Sequence, residues 1–125
     1  MDEQRRMTVW RGKAWRLGSE RVGWVEPDGG VFGGDRRFGP LIGTVGSDGW
    51  VWRGREWRGE RLGFVDYADG LIWRGRQWSG EAVARVHPDG VVHLGRRWVG
   101  QQVGTVENVT TLRPAGGAAL LLLFD

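Results

Sequence analysis

Arginine next to tryptophan is the combination in this sequence that is best suited to binding a ligand. The tripeptide Trp-Arg-Gly begins at Trp10, Trp52 and Trp73. An indole ring can stack on a base or hold a cation over its face, and a guanidinium can pair with phosphate or carboxylate. The candidate binding residues are therefore the arginines of these and neighbouring segments and two of the tryptophans, namely Arg11, Arg53, Arg55, Arg74, Arg76, Arg96, Arg97, Trp52 and Trp73.

A structural role is equally open to the same residue types. Nine tryptophans in 125 residues cannot all be exposed, and the arginines can lie on a solvated face beside Glu56, Glu60, Glu81 and Asp66. The net charge of +3 does not by itself require an anionic partner. A nucleic acid, or a sugar or quaternary amine held in a tryptophan-lined pocket, therefore stands as an alternative to a protein partner.

Catalytic and metal-binding patterns are weak. The two histidines, His87 and His93, have no partner motif, and the chain has no cysteine. Aspartates recur once in each repeat, but one carboxylate per turn is too few for calcium, which takes six to eight oxygen ligands. We therefore predict a protein that is not an enzyme and that needs no cofactor or metal. The recurring aspartates are Asp28, Asp48, Asp69 and Asp89.

An internal repeat of about 20 residues places these side chains. Each copy has a first aromatic anchor, a second one five or six residues later, and a small residue, usually glycine, in its returning segment. The repeat accounts for much of the unusual glycine content, 23 residues. The first anchors are Trp10, Phe32, Trp52, Trp73 and His93, the second anchors are Trp15, Phe38, Trp57, Trp78 and Trp98, and the small residues are Gly23, Gly43, Gly63, Ala84 and Gly104.

Each copy predicts a β-hairpin. Asp-Gly between β-branched runs is typical of a tight turn, because glycine accepts a positive φ and aspartate tolerates it. A glycine within a strand marks the close approach of another group, and we expect a tryptophan of the neighbouring copy to cover it. The fold class is therefore all-β, with five to six tandem hairpins in a closed, flower-like or barrel-like arrangement and essentially no helix.

The repeat also sets the predicted boundaries. Residues 1–7 are expected to be disordered or loosely ordered, before a single domain at 8–125. The tail reads as strand, turn and strand, and we expect a degenerate sixth hairpin at 109–125 that closes the array, since an exposed apolar strand would invite aggregation. The five preceding repeats are approximately 8–29, 30–49, 50–70, 71–90 and 91–108.

Part of the repeat resembles known families. The segment Gly59-Glu-Arg-Leu-Gly-Phe-Val-Asp66, followed by Asp69-Gly70-Leu-Ile-Trp73, resembles the hairpin unit of the bacterial β-flower proteins. That resemblance covers residues 8–106 and implies about four such hairpins around a pseudo-symmetry axis, with no established function. Tyr67-Ala-Asp-Gly70 is more distantly similar to MORN repeats, and Gly23-Trp24-Val25 to choline-binding wall repeats. None of these families implies a catalytic residue.

These observations favour a non-catalytic interaction module that binds a protein or assembles with itself. Residues 1–7 have no apolar stretch of the kind that a signal peptide needs. The longest apolar run, 118–124, is far shorter than the roughly 20 residues of a membrane-spanning helix. We therefore expect a cytoplasmic protein without a membrane span.

Overall fold

Ten β-strands and one helical segment make up the part of the chain that the computed structural model describes, residues 6–12, 20–34, 39–54, 59–66, 68–75, 81–95, 100–109 and 111–124. The helical segment consists of α1 (Leu112–Ala119) and a π-helical turn (Leu120–Phe124). The strands are β1 (Met7–Arg11), β2 (Glu20–Val25), β3 (Gly30–Gly33), β4 (Leu41–Val45), β5 (Trp50–Arg53), β6 (Glu60–Val65), β7 (Leu71–Arg74), β8 (Glu81–Val86), β9 (Val91–Leu94) and β10 (Gln102–Val106).

The strands form one closed antiparallel barrel in which every strand pairs with its neighbours in sequence. Closure is made by β1 and β10, with Val9 opposite Val106 and Trp10 opposite Thr105. The predicted all-β, closed arrangement is confirmed. Because the sheet closes on itself, none of the ten described strands has a free edge for another chain to extend.

Four short Asp-Gly turns join successive hairpins at one end of the barrel, which we call the turn end. In the first, Asp28 Oδ1 accepts a hydrogen bond from the Gly30 N–H at 2.9 Å, and Gly29 has φ +97°. The side chain thus closes the turn while the glycine takes a conformation that other residues rarely adopt. The carboxylates of Asp48, Asp69 and Asp89 accept the equivalent bond from the residue two positions later.

Longer connections lie between the two strands of each hairpin, at the opposite end, which we call the loop end. Each of these hairpins shifts register once, as between Val51 and Trp52 in β5. Such an irregularity bends a strand and strengthens its twist. Repeated in all five hairpins, the shift helps to curl the sheet into a barrel.

Aliphatic side chains line the barrel interior, and aromatic side chains lie on its outer face. Val51 is completely buried inside, while its neighbours Trp50 and Trp52 point outward because side chains alternate along a strand. The interior cluster contains no tryptophan among the described residues. It is built from valines of nine strands, from Ile72 of β7 and Ala84 of β8, and from residues of the helical segment.

The start of the domain lies earlier than the sequence predicts. Met7 begins β1 and is 1% exposed in the interior, although the prediction left it in the loosely ordered N-terminus. Arg6 pairs with Glu26 at 2.9 Å and lies over the Trp24 ring. These two residues fall outside the repeat consensus, so the repeat pattern could not include them.

The prediction of a sixth hairpin at 109–125 is wrong. The tail instead enters the interior at the turn end as α1 and ends at the loop end as the π-helical turn, and we call residues 112–124 the plug. About eight strands enclose a space that their own side chains can fill, so a ten-stranded barrel needs a filler. A helix pairs its backbone groups within itself except at its two ends, whereas a buried hairpin would leave its outer edges unpaired.

The prediction that a neighbouring tryptophan ring covers each strand glycine is wrong, because the side chains that face four of these glycines are leucines of the plug. A Cβ added at Gly23 would lie 2.7 Å from Leu122 Cδ1, and one at Gly43 would lie 2.6 Å from Leu121 Cδ1. Added carbons at Gly63 and Gly104 would meet Leu120 and Leu123 at 2.7 and 2.8 Å. Each glycine therefore leaves a socket for a leucine of the plug. It also leaves room for the backbone carbonyl oxygen of the adjacent strand, which an added carbon would approach even more closely.

Four consecutive leucines thus meet four successive even-numbered strands: β6, β4, β2 and β10. Five equal steps around a closed ring are about 72° each, whereas an α-helix turns by about 100° per residue. The i→i+5 hydrogen bonds of a π-helix widen the turn and so reduce the angle per residue. The π-helical geometry brings the spacing of the leucines closer to that of the repeats.

Candidate functional site: the loop end of the barrel

The loop end carries the described arginines that the sequence marks as candidates. Arg11, Arg53 and Arg74 end β1, β5 and β7, and all three are exposed. They come together at this end because the repeat gives the last position of each of these strands the same residue type. The other four candidates lie outside the described residues, and these are Arg55, Arg76, Arg96 and Arg97.

Two of these arginines bind the end of the plug. Arg11 Nη2 donates to the Leu122 carbonyl at 2.9 Å, and Arg74 Nη2 donates to the Phe124 carbonyl at 2.7 Å. The last carbonyls of a helix have no partner within the helix, and they lie at the negative end of its dipole, where a cation is favourable. Arg11 and Arg74 therefore hold the plug in the barrel.

The tryptophan candidates lie on the outer face, and little of them is accessible. Trp52 is 7% exposed and Trp73 is 3% exposed. Trp73 packs with Phe64 and Leu71 in a second apolar cluster outside the barrel wall. A base or a sugar needs an open ring face for stacking, so these two rings offer little surface for such a ligand.

Arginines cover part of the outer aromatic surface as well. The Arg61 guanidinium lies 4.2 Å from the centre of the Trp50 ring, and Arg21 lies 5.7 Å from that of Trp24. Each is a cation–π contact between two side chains on the outer face of the barrel. The pairing of arginine with tryptophan that the sequence suggests for a ligand is, at these positions, made within the chain.

A cleft of about 330 Å³ opens at the loop end where β1 meets β10. Gly12 N–H donates to the Val103 carbonyl across this junction at 2.9 Å. The cleft has an apolar floor and a polar rim, the usual composition of a binding pocket. Sequence reasoning missed its floor because it assigned the tail to a strand. The lining residues are Arg11, Gly12, Gln101, Gln102, Val103, Leu123 and Phe124.

Two exposed leucines lie at the same end. Leu41 begins β4 and is 43% exposed, and Leu94 ends β9 and is 40% exposed. They are the large apolar side chains that the described part of the chain exposes most. The loop end therefore presents apolar and cationic groups together, and the repeat pattern predicts no role for either leucine.

The rings of the two histidines pack against each other. The rings of His87 and His93 are 4.6 Å apart, and His93 is 3% exposed beside Arg85 on the neighbouring strand. Arg85 in turn lies 3.5 Å from an Asp69 oxygen. Within the described ranges no group of three or more His, Asp or Glu side chains could hold a metal ion. The prediction that the protein is not an enzyme stays a prediction.

The two ends of the barrel differ in charge. The turn end has seven described carboxylates against three arginines, and several carboxylates are exposed. The net charge of the described part of the loop end is positive, because its arginines outnumber its glutamates. These are Arg11, Arg21, Arg53, Arg61 and Arg74 against Glu20, Glu60 and Glu81. The turn-end groups are Glu26, Asp28, Asp48, Asp66, Asp69, Asp89 and Glu107, with Arg6, Arg85 and Arg113.

No helix within the described ranges combines the length and the apolar character that crossing a membrane requires.

Comparison of the chain with protein-family models, with curated proteins and with solved structures finds no match.

Proposed function

We propose that the protein is a non-catalytic interaction module that binds a protein partner through the loop end of its barrel. The observation that carries this proposal is the plug. It fills the interior, and the closed sheet offers no edge among the described strands, so a partner must bind the outer surface. On that surface the loop end combines exposed leucines, arginines and a cleft.

The composition of the loop end favours a protein over a small ligand. Barrels that bind small molecules hold them in the interior or at the mouth. Here Leu120, Leu121 and Leu122 fill the interior, which leaves the cleft at the mouth. The cleft is at the small end of the range for ligand pockets. Arginine is enriched in protein interfaces, and the loop end exposes arginines together with the apolar side chains of Leu41 and Leu94.

The same composition argues against a nucleic acid as the first choice. Arg11 and Arg74 each donate to a carbonyl of the plug. Exposed glutamates at the starts of β2, β6 and β8 alternate with the arginines around this end. A phosphate backbone gains most from an uninterrupted basic surface, whereas a protein can match both signs of charge.

Selection of peptides from a random library on the immobilised protein tests the proposal. We expect enriched peptides whose binding is lost in Leu41→Asp and Leu94→Asp and is retained in the turn-end variant Asp48→Asn. Enriched peptides that bind all three variants equally would contradict the loop-end site, and so would a library without enrichment. Tight binding of single-stranded DNA that falls steeply with salt would instead favour the polyanion alternative.

A further inference from the structure

The opposite charges of the two ends suggest which protein binds the loop end. We infer that the partner is the turn end of a second copy, so that the barrels stack head to tail. This inference rests on the proposed function, because it uses the same loop-end surface. It commits to a partner that the chain itself supplies.

Charge complementarity between the ends is the first support. Among the described residues the loop end carries a positive excess and the turn end a negative one. Two barrels stacked head to tail therefore oppose described ends of unlike charge.

Salt bridges at the turn end leave its negative excess in place. Arg6 pairs with Glu26 and Arg85 with Asp69, while Arg113 donates to the Ser47 carbonyl at 2.5 Å. These arginines compensate part of the charge within the chain. Exposed carboxylates remain on three turns, at Asp28, Asp48 and Asp89.

The geometry of the turns is the second support. Each of these aspartates uses Oδ1 to accept a backbone N–H of its own turn. The carboxylates are thus fixed in position before any partner arrives, so binding costs little side-chain entropy. The closed sheet spaces the turns around the same axis as the strand ends that carry Arg11, Arg53 and Arg74. A second barrel on that axis can therefore oppose its aspartates to these arginines, because a guanidinium has five N–H donors, more than the bonds of Arg11 and Arg74 to the plug require.

A contact of this kind joins two different surfaces, so it extends into a chain and does not close as a symmetric dimer. Stacking loop end on loop end would instead oppose like charges, which is unfavourable. Contacts between surface charges are screened over about 8 Å at physiological ionic strength. We therefore expect assembly that grows with protein concentration and weakens with salt.

Two triple variants with the same change in net charge test the inference. Asp28→Asn, Asp48→Asn and Asp89→Asn remove three charges from the turn end and keep an oxygen that can accept each turn hydrogen bond. Glu20→Gln, Glu60→Gln and Glu81→Gln remove three negative charges from the loop end. Sedimentation velocity of the full chain, over a range of concentration and salt, measures association.

Head-to-tail stacking predicts opposite responses to the same change in net charge. The turn-end variant should associate roughly tenfold more weakly, as expected for the loss of three surface ion pairs. The loop-end variant should associate more tightly than the wild type. Equal weakening of both variants would show general charge repulsion and overturn the inference.

A wild-type chain that stays monomeric at low salt and high concentration would also overturn it. That result would leave the proposed function intact if library peptides still require Leu41 and Leu94. If the library yields no such peptides but the chain still associates in a salt-sensitive way, the head-to-tail contact between copies stands and binding of a different protein is contradicted. Thermal melting of both triple variants shows whether they remain folded.

Discussion

The wall of the barrel and the plug inside it differ in where their contacts come from. Each wall hairpin is built from neighbouring residues, and the same turn chemistry recurs at Asp28, Asp48, Asp69 and Asp89. The plug occurs once, and its leucines contact glycines of four different hairpins. The wall can therefore tolerate local changes at one repeat, whereas a change in the plug affects several repeats at once.

A leucine removed from the plug should have the largest effect. Leu121 is 3% exposed and faces the Gly43 socket, so Leu121→Ala should lower the free energy of unfolding by about 3 kcal/mol through lost burial and a cavity. Urea denaturation measures the change. The matched control is Leu94→Ala at an exposed leucine, where we expect a change within about 0.5 kcal/mol. Equal effects would show that the plug does not support the wall.

Filling a socket from the wall side should have the next largest effect. In Gly43→Ala the new methyl carbon lies too close to Leu121 and to the Trp52 carbonyl, so we expect a loss of about 2 kcal/mol from overpacking. Ala84 occupies the equivalent position of the fourth repeat, where a methyl group is already accommodated. Ala84→Gly is therefore the control, and thermal melting compares the two. A stabilised Gly43→Ala variant would contradict the socket.

Releasing the end of the plug should cost less. In Arg11→Met the Leu122 carbonyl loses its donor, and we expect a loss of about 1 kcal/mol. Arg74→Met should act alike through the Phe124 carbonyl. Hydrogen exchange by mass spectrometry should show faster exchange in peptides that contain Leu120–Phe124, with little change at the turn end. Unchanged exchange in both variants would mean that the two arginines do not hold the plug.

A single turn of the wall should show the smallest effect. Asp48→Ala removes the acceptor for the Trp50 N–H, and we expect a loss of about 0.5–1 kcal/mol because this bond is exposed. Asp48→Asn keeps an oxygen at the same place and should stay close to the wild type. Chemical denaturation of the pair separates the hydrogen bond from the charge. A large loss in Asp48→Asn would disqualify the asparagine variants as tests of stacking.

The sequence predicts the hairpins and their turns well because the information for them is local. Asp-Gly at 48–49 and 89–90 specifies a turn wherever it stands between strands. The plug carries no comparable signal. Gly116 and Gly117 suggest a turn and not a helix. The run Leu120–Leu123 contains no polar residue, so it shows no amphipathic period, as expected of a helix that is buried on all sides.

The candidate site was predictable in its residue types and not in their partners. The repeat correctly places Arg11, Arg53 and Arg74 at equivalent strand ends. It contains no information about the carbonyls that Arg11 and Arg74 bind, since these belong to a segment outside the repeat. The floor of the cleft escaped prediction for the same reason.

By itself the sequence determined that the chain forms successive β-hairpins, because turn and strand preferences act between neighbours and recur five times. Closure of the sheet pairs β1 with β10 across nearly the whole chain, so these local preferences do not account for it. Only the tertiary structure decided that the tail becomes a plug. The space inside a ten-stranded barrel exists only after closure. The strand glycines contact leucines that lie up to about a hundred residues away in the sequence. The separation of charge between the two ends likewise appears only when the strands alternate in direction and gather the aspartates at one end.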